Sequence, residues 1–247
     1  RTTRQLTMTE AGRAYFARCS DAMRAFNEAA AEATELQTAP QGRLRINLPD
    51  AFAVNYLAAP LATFKARYPD LTVEAVLTDR KVDILAEGFD VAVRIGDLSD
   101  SSLIVRRLAS LICASPDYLR QRGTPRRPQD LAAHDCLLYA YHAVPTTWRL
   151  RGPEGDVQVD VSGRMVSNHA EMLVEAACHG LGLVFCPVFL VAAGLRARRL
   201  VRVLPDWRFP LAVSAVFPNA RHVPTKVRVF VDFLVQHFAV PPWADCV

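Results

Sequence analysis

The 247-residue sequence lacks several features that would assign it to a common class of protein. No run approaches 18 uncharged apolar residues, which argues against a membrane-spanning helix, and no basic-then-apolar secretion signal lies near residue 1. The net charge of +4 is too small to indicate a nucleic-acid-binding surface by itself. The motifs G-x-S-x-G and H-E-x-x-H and a phosphate-binding loop are also missing, so we predict no catalytic residues, no metal and no cofactor.

Six cysteines are present, but they form no C-x-x-C pair and no spacing suited to zinc. Most lie among apolar residues, as Cys113 and Cys186 do, where a free thiol behaves as a small hydrophobic side chain. Cys178 and Cys186 are eight residues apart, so a redox pair is the alternative interpretation. Scattered thiols favour a reducing compartment, and we predict a cytoplasmic protein.

The longest helical pattern runs from Thr9, the predicted N-cap, to Thr38, with no proline and with Gly12 as the only glycine. Apolar or small residues recur at steps close to the 3.5-residue repeat of a coiled coil. The predicted dimer contacts on this stripe are Tyr15, Cys19, Met23, Phe26, Ala30 and Ala33. A helix lying on the core of its own chain is the alternative. Pro40-Gln41-Gly42 then has the composition of a linker.

Strand and helix patterns alternate after this linker in two successive units. The predicted strands of the first unit are 44–48, 71–77 and 91–95, with helices at 52–68 and 82–87 between them. This order predicts a parallel sheet with right-handed crossovers. The second unit begins near Ser115, with helices at 116–122, 128–134, 170–179 and 188–193 and strands at 136–140, 147–150, 157–161, 164–167 and 183–186. Strands at 200–204 and 211–217, a helix at 224–238 and a loose tail at 241–243 complete the chain.

Two α/β units in tandem predict two lobes with a cleft between them. Ligands of open α/β sheets bind at the carboxyl ends of strands, beside helix starts whose N–H groups favour an anion or a polar group. The segments 48–52, 94–102 and 167–169 fit this description. Simple helix capping by Asp50 and Asn168 is the alternative role for these two side chains.

Six stretches follow one another in a specific order and spacing, although each alone is a weak signal. They are RTTRQLTMTEAG, GRLRINLPDAFAVNYLAAPLATFKARYPDLTVEAVLTDRKVDILAEGFDVAVRIGDLSDSSL, ASPDYLRQRGTPRRPQDLAAHDCLLY, HGLGLVFCPVFLV, RLVRVLPDW and PNARHVPTKVRVFVDFL. Over nearly its whole length the chain therefore resembles the LysR-type transcriptional regulators.

The resemblance implies an α/β fold in which a long N-terminal linker helix precedes two Rossmann-like lobes similar to type 2 periplasmic binding proteins. The implied divisions are a wing remnant at 1–8, a dimerising linker helix at 9–38, lobe I at 43–113 and 212–240, and lobe II at 114–211. Most of the winged helix-turn-helix would lie upstream of this sequence. Arg1 and Arg4 would contact DNA phosphates, with a merely solvated arginine as the alternative.

The resemblance also implies that a small-molecule effector controls a DNA-binding homodimer or homotetramer. A solute-binding transport protein with the same two lobes is the alternative. The candidate effector contacts are Pro49, Asp50, Ala51, Phe52, Arg94, Gly96, Ser102, Trp148, Asn168, His169 and Pro187. Tyr139, Tyr141 and Trp148 suit either an aromatic cleft or the core.

Several positions depart from the family pattern. Ala51 stands where the family often has a serine or threonine that touches the effector's carboxylate in some members. Asp50 beside it would repel an anion unless it turns back to cap the helix. The segment 108–113 is about three residues shorter than usual, which leaves the register of the first hinge strand open. The second hinge crossing is expected near Pro210. His169 would make recognition pH-sensitive if it faces the cleft, and it is otherwise a solvent-facing side chain.

Overall fold

The computed structural model describes residues 9–12, 14–16, 18, 19, 22, 39–96, 103–218 and 223–246. The described residues from 10 to 22 are helical, and Thr9 Oγ accepts the Gly12 N–H at 3.1 Å, which confirms the predicted N-cap. Tyr15 and Cys19 are exposed on this helix. The remaining predicted positions of this region lie outside the described residues, namely Arg1, Arg4, Met23, Phe26, Ala30 and Ala33, as does Ser102.

The first α/β unit forms as predicted except for its second helix. Its strands are β1 (Gly42–Leu48), β2 (Leu71–Leu77) and β3 (Val91–Gly96), and β1 pairs in parallel with both others. Between β1 and β2 the chain forms α1 (Asp50–Phe52), a π-helical turn (Ala53–Leu57) and α2 (Ala58–Arg67).

The predicted helix at 82–87 is wrong, because residues 84–88 form only a hydrogen-bonded turn. The Phe89 N–H donates to the Ile84 carbonyl at 2.8 Å, and Gly88 takes a left-handed conformation with φ +69°. So short a segment does not recover the entropy lost in nucleating a helix.

From Ser115 onward the second unit follows the predicted order, except that the predicted helix at 128–134 is a 3₁₀ turn, and most of the strand before Ser115 was not predicted. Its strands are β4 (Leu103–Ala114), β5 (Asp135–Tyr139), β6 (Thr147–Gly152), β7 (Gly155–Asp160), β8 (Ser162–Ser167), β9 (Leu183–Pro187), β10 (Val201–Val203) and β11 (Phe209–Val216). Its helices are α3 (Pro116–Arg122), α4 (Ala170–Cys178), α5 (Val188–Arg196) and α6 (Thr225–His237), with 3₁₀ turns at Pro128–Ala133 and Ala244–Cys246. Ser115 caps α3 through its side chain, and Gly123 follows the last turn.

The long strand β4 belongs to both halves of one sheet of order β2-β1-β3-β11-β4-β9-β5-β8, with β10 also on β4. Up to Ser110 it pairs with β11, and from Ser110 onward it pairs with β9 and then β10. A register shift between Val213 and Ser214 interrupts the β4–β11 ladder. The two halves are therefore joined by continuous strands. The lobe boundaries given above remain predictions.

The core consists of two clusters of buried side chains. The larger lies against β1, β3, β11 and helices α2, α4, α5 and α6, and the smaller surrounds Trp148 in the second half. Strands β5 and β8 approach closely at Gly163, where a Cβ atom would stand 1.7 Å from the Cys136 carbonyl oxygen. Only glycine fits this position without a backbone shift.

The C-terminal tail is not loose, contrary to the prediction. Trp243 is 1% exposed. It lies in a cluster of five aromatic rings that we call the tail cluster, comprising Phe52, Tyr56, Phe189, Phe238 and Trp243. Burial of the large indole offsets the entropy lost when the segment is ordered. That loss is already reduced by Pro241 and Pro242, which restrict the backbone.

Candidate ligand-binding site

A cavity of about 640 Å³ lies between the two halves of the sheet. This volume falls within the ~300–1,000 Å³ that small-molecule sites occupy. The lining comes from the ends of β1, β2 and β3 on one side and from β5, β6, β9 and α5 on the other. It includes six predicted contacts, namely Pro49, Ala51, Phe52, Arg94, Gly96 and Pro187.

Arg94 is the lining cation that is fixed by buried neighbours. Its Nη1 donates to Asn47 Oδ1 and, at 3.1 Å, to the Val93 carbonyl. Asn47 is fully buried and donates its own amide to the Val76 carbonyl at 3.0 Å, which leaves its oxygen to face Arg94. The Nη2 atom of Arg94 is buried and has no hydrogen-bond partner among the residues that the structure describes.

The environment of Arg94 disfavours its charge. Burial lowers the pKa of Arg94, because the guanidinium loses hydration, and nearby Arg80 lowers it further. Glu87 and Asp79 act in the opposite direction but neither forms a salt bridge with it among the described residues. Arg94 therefore lines the cavity, while its Nη2 atom is buried out of contact with solvent.

The start of α1 lies near two carboxylates, those of Asp50 and Asp79, and not near a cation. Asp50 does not cap the helix, since Pro49 occupies the N-cap position without a side-chain bond. The Asp50 N–H donates to Asp79 Oδ1 at 3.3 Å, and Asp50 Oδ1 is buried without a described partner. Desolvation and then Asp79 raise the pKa of Asp50, while His169 lowers it and Glu171 raises it. The capping role considered for Asp50 is thus wrong, because Asp50 is the first helical residue and Pro49, whose side chain has no acceptor, is the N-cap.

Polar bonds close the two halves over the cavity. The Tyr139 hydroxyl donates to Asp79 Oδ2 at 2.9 Å, and the Tyr56 hydroxyl donates to the Phe189 carbonyl at 2.8 Å. Asn55 Nδ2 also donates to Glu171 Oε1 at 2.6 Å, outside the lining. The position of one half relative to the other is therefore fixed by bonds that border the cavity.

Four predicted contacts among the described residues lie outside the cavity lining, namely Asp50, Trp148, Asn168 and His169. Trp148 is 2% exposed in the smaller core cluster, 5.2 Å from the Phe185 ring, so its placement in the cleft was wrong. Asn168 donates to the Tyr141 hydroxyl at 3.3 Å and does not cap α4, whose N-cap is His169. His169 is half-exposed beside Glu171.

Sequence reasoning missed two charged lining residues, Asp79 and Arg149. The position of Asp79 at a strand end and the alternation of side chains along β6 are the sequence signals for these two residues. Asp79 follows the carboxyl end of β2 by two residues, as a ligand-binding residue of a parallel sheet would. Arg149 lies between the buried residues Trp148 and Leu150 of β6, so strand alternation turns it to the opposite face.

Cys113, Cys136 and Cys186 are buried core residues, whereas Cys178 and Cys246 are half-buried and Cys19 is exposed. Burial raises the pKa of Cys113 and of Cys136 to about 12, and it raises that of Cys186 well above the ordinary value. Such thiols stay protonated and react slowly. The described residues contain no group of three or more His, Cys, Asp or Glu side chains that could hold a metal ion. Nor is any helix in this part long and apolar enough to cross a membrane.

The fold agrees with the comparisons to known proteins. The LysR substrate binding domain matches residues 37–239. The chain belongs to the LysR family of transcriptional regulators. The chain is 36% identical to an uncharacterized HTH-type transcriptional regulator of Haemophilus influenzae, covering 92% of this chain and 80% of that protein. It is 34% identical to the HTH-type transcriptional regulator DmlR of Escherichia coli, and the match covers 97% of this chain and 79% of DmlR.

Solved structures of LysR-type regulators have the same fold. Full-length AphB of Vibrio cholerae superposes with a TM-score of 0.72 at 27% identity, covering 96% of this chain and 82% of that one. CrgA of Neisseria meningitidis gives a TM-score of 0.69 at 30% identity with the same coverages. The predicted fold class and regulator class are confirmed, and the transport alternative is not supported. Proteins of this family bind DNA and small-molecule effectors and form oligomers.

Proposed function

We propose that the cavity between the two halves binds the small-molecule effector of this LysR-family regulator. The observation that carries the proposal is that both halves of the sheet line one 640 Å³ space at their strand ends. A ligand there contacts both halves at once, so its binding energy depends on how they are placed relative to one another. The proposed contacts are Pro49, Ala51, Phe52, Arg94, Gly96 and Pro187.

Effector binding would act on the bonds that border the cavity. A ligand near Asp79 competes with its bond to Tyr139, and a ligand against Phe189 presses on the residue whose carbonyl binds Tyr56. Shifts of this kind rotate one half against the other about β4 and β11. We propose that the N-terminal helix transmits the rotation to the DNA-binding modules of a homodimer or homotetramer in the cytoplasm. The helix stripe that begins with Tyr15 and Cys19 would form the dimer contact, and Arg1 and Arg4 would position DNA phosphates.

A blocking substitution at Gly96 tests the cavity. A Cβ atom at Gly96 meets no described atom within 4 Å, so Gly96→Ala should leave the fold and the cavity intact. Gly96→Trp should fill part of the cavity with an indole ring. A panel of small organic acids and neutral aromatics is screened by the rise in melting temperature that accompanies ligand binding.

Compounds that stabilise the original chain should stabilise Gly96→Ala equally and should lose their effect on Gly96→Trp. The circular dichroism spectrum of Gly96→Trp must match that of the original chain, so that loss of binding is not loss of folding. Stabilisation that survives in a folded Gly96→Trp variant would place the effector elsewhere and refute the proposal.

A further inference from the structure

We propose that residues 241–246 form a strap that fixes the placement of one half of the sheet relative to the other, with Trp243 as its positioning residue. None of these residues lines the cavity, and the action of the strap needs no ligand. The proposal therefore goes beyond the binding of an effector. It concerns what holds the two halves in one arrangement before any ligand binds.

The indole of Trp243 packs against both halves of the sheet at once. Its ring centre lies 6.0 Å from that of Phe52, which follows β1 in the first half, and 5.7 Å from that of Phe189, which follows β9 in the second. The rings of Phe52 and Phe189 also meet each other edge-to-face at 5.4 Å. Since Trp243 is 1% exposed, it fills the angle between these two rings and resists any motion that changes their separation.

The strap is attached to each half by a different kind of bond. It continues the chain from α6, where Phe230 packs against Phe64 of α2 in the first half with ring centres 5.5 Å apart. Arg196, on α5 of the second half, binds the strap itself and donates to Asp245 at 3.0 Å and to the Pro242 carbonyl at 2.5 Å. The chain therefore leaves one half, crosses the junction and is bound to the other.

A hydrogen bond that borders the cavity depends on the same relative placement. The Tyr139 hydroxyl of the second half donates to Asp79 of the first at 2.9 Å, and such a bond weakens steeply when its angle or length changes. Among the residues that the structure describes, no ring contact or hydrogen bond joins Trp243 to Tyr139 or Asp79. Residues without shared partners contribute additively to stability, so energetic coupling between Trp243 and Tyr139 would report the placement of the halves.

The test is a double-mutant cycle on the 247-residue chain, with the melting temperature as the measured quantity and no ligand present. Tyr139→Phe removes the bond to Asp79 and should lower the melting temperature by roughly 3–10 °C, as expected for a hydrogen bond to a charged group. In the Trp243→Ala background the halves no longer hold that bond in place, so Tyr139→Phe should lower it by less than half as much. If Trp243→Ala shows no cooperative transition, Trp243→Leu replaces it with the same expectation.

Two matched controls separate the action of the strap from a general loss of stability. Tyr118→Phe also deletes a hydroxyl, but the bonds of that hydroxyl to His134 and to the Asp135 N–H lie within the second half. Its effect should be the same with and without Trp243. Phe64→Ala removes a fully buried ring of the first half at a cost similar to that of Trp243→Ala, and it should leave the full effect of Tyr139→Phe.

Four results would overturn the proposal: Tyr139→Phe lowers the melting temperature equally with and without Trp243; its effect shrinks as much in Phe64→Ala as in Trp243→Ala; the effect of Tyr118→Phe shrinks as much in Trp243→Ala as that of Tyr139→Phe; or Tyr139→Phe changes the melting temperature of the original chain by less than roughly 1 °C, so that the strap has no bond to hold. Because no ligand enters the measurement, none of these results bears on the test of the cavity at Gly96.

Discussion

Truncation of Trp243 should be among the most damaging single changes in the C-terminal tail. The indole is 1% exposed, and its ring centre lies 5.0 Å from that of Tyr56 and 5.7 Å from those of Phe189 and Phe238. Trp243→Ala removes the central ring of the tail cluster and leaves a space bordered by aromatic faces.

The structure sets the size of the effect. A buried tryptophan replaced by alanine costs about 3–5 kcal/mol of stability. Detachment of the segment would also expose Phe52 and Phe238, which are otherwise fully buried. The other anchor is Arg196, which donates to Asp245 at 2.5–3.0 Å and also to the Pro242 carbonyl. These bonds are exposed to solvent and cannot hold the segment alone. We therefore expect the lower end, about 3 kcal/mol, and a melting temperature lower by roughly 6–12 °C.

Urea unfolding followed by far-ultraviolet circular dichroism measures this loss. The matched control is Val240→Ala in the same tail, where the side chain is 82% exposed and the expected change is within ~0.5 kcal/mol. Trp243→Phe should retain much of the stability, because it keeps an aromatic ring in the cluster. A loss below ~1 kcal/mol for Trp243→Ala would contradict this prediction, because it would show that the packing of Trp243 contributes little to stability.

Two further predictions concern assembly and pH. Light scattering at micromolar concentration should show at least a dimer, and Phe26→Glu should weaken it by burying an unpaired charge; a monomeric original chain would refute the dimer helix. Burial lowers the pKa of His134, whose Nδ1 shares a hydrogen bond of 3.1 Å with the Tyr118 hydroxyl oxygen. As the pH falls, His134 therefore takes up a proton in the unfolded chain at a higher pH than in the folded chain. Its contribution to folding stability is complete above about pH 6.5 and is lost as the pH falls below that value. His134→Gln should flatten the dependence of the urea midpoint between about pH 7.5 and 5.5, whereas the exposed control His179→Gln should keep it; identical slopes in both variants would contradict this.

Local sequence signals predicted the elements they act on directly. Strand β2 and helix α3 have the predicted limits, the latter because Ser115, Pro116 and Gly123 mark both ends within a few residues. The sequence located only the end of β4. Arg106 and Arg107 interrupt its apolar pattern, and the pairing with β11 that orders this part is formed across the whole chain.

The site was less predictable, because its chemistry depends on contacts distant in sequence. Strand-end positions identified Arg94 and Gly96 correctly as lining residues. The carboxylate that accepts the first helical amide, that of Asp50, comes from the loop after β2, and no local pattern reveals it. Trp148 was misplaced for a simpler reason. Neighbouring residues of a strand point to opposite faces, so an error of one residue exchanges the core face and the cavity face, and it is Arg149 that lines the cavity.

The cavity and the C-terminal segment share side chains. Phe52 and Phe189 line the cavity, and both rings also contact Trp243. Phe52 belongs to α1 in one half and Phe189 to α5 in the other, so the indole rests on both halves where they meet. A ligand that displaces either ring must therefore move or release Trp243. Close packing of aromatic rings favours a small number of discrete arrangements over a continuous range, which is the property a switch requires.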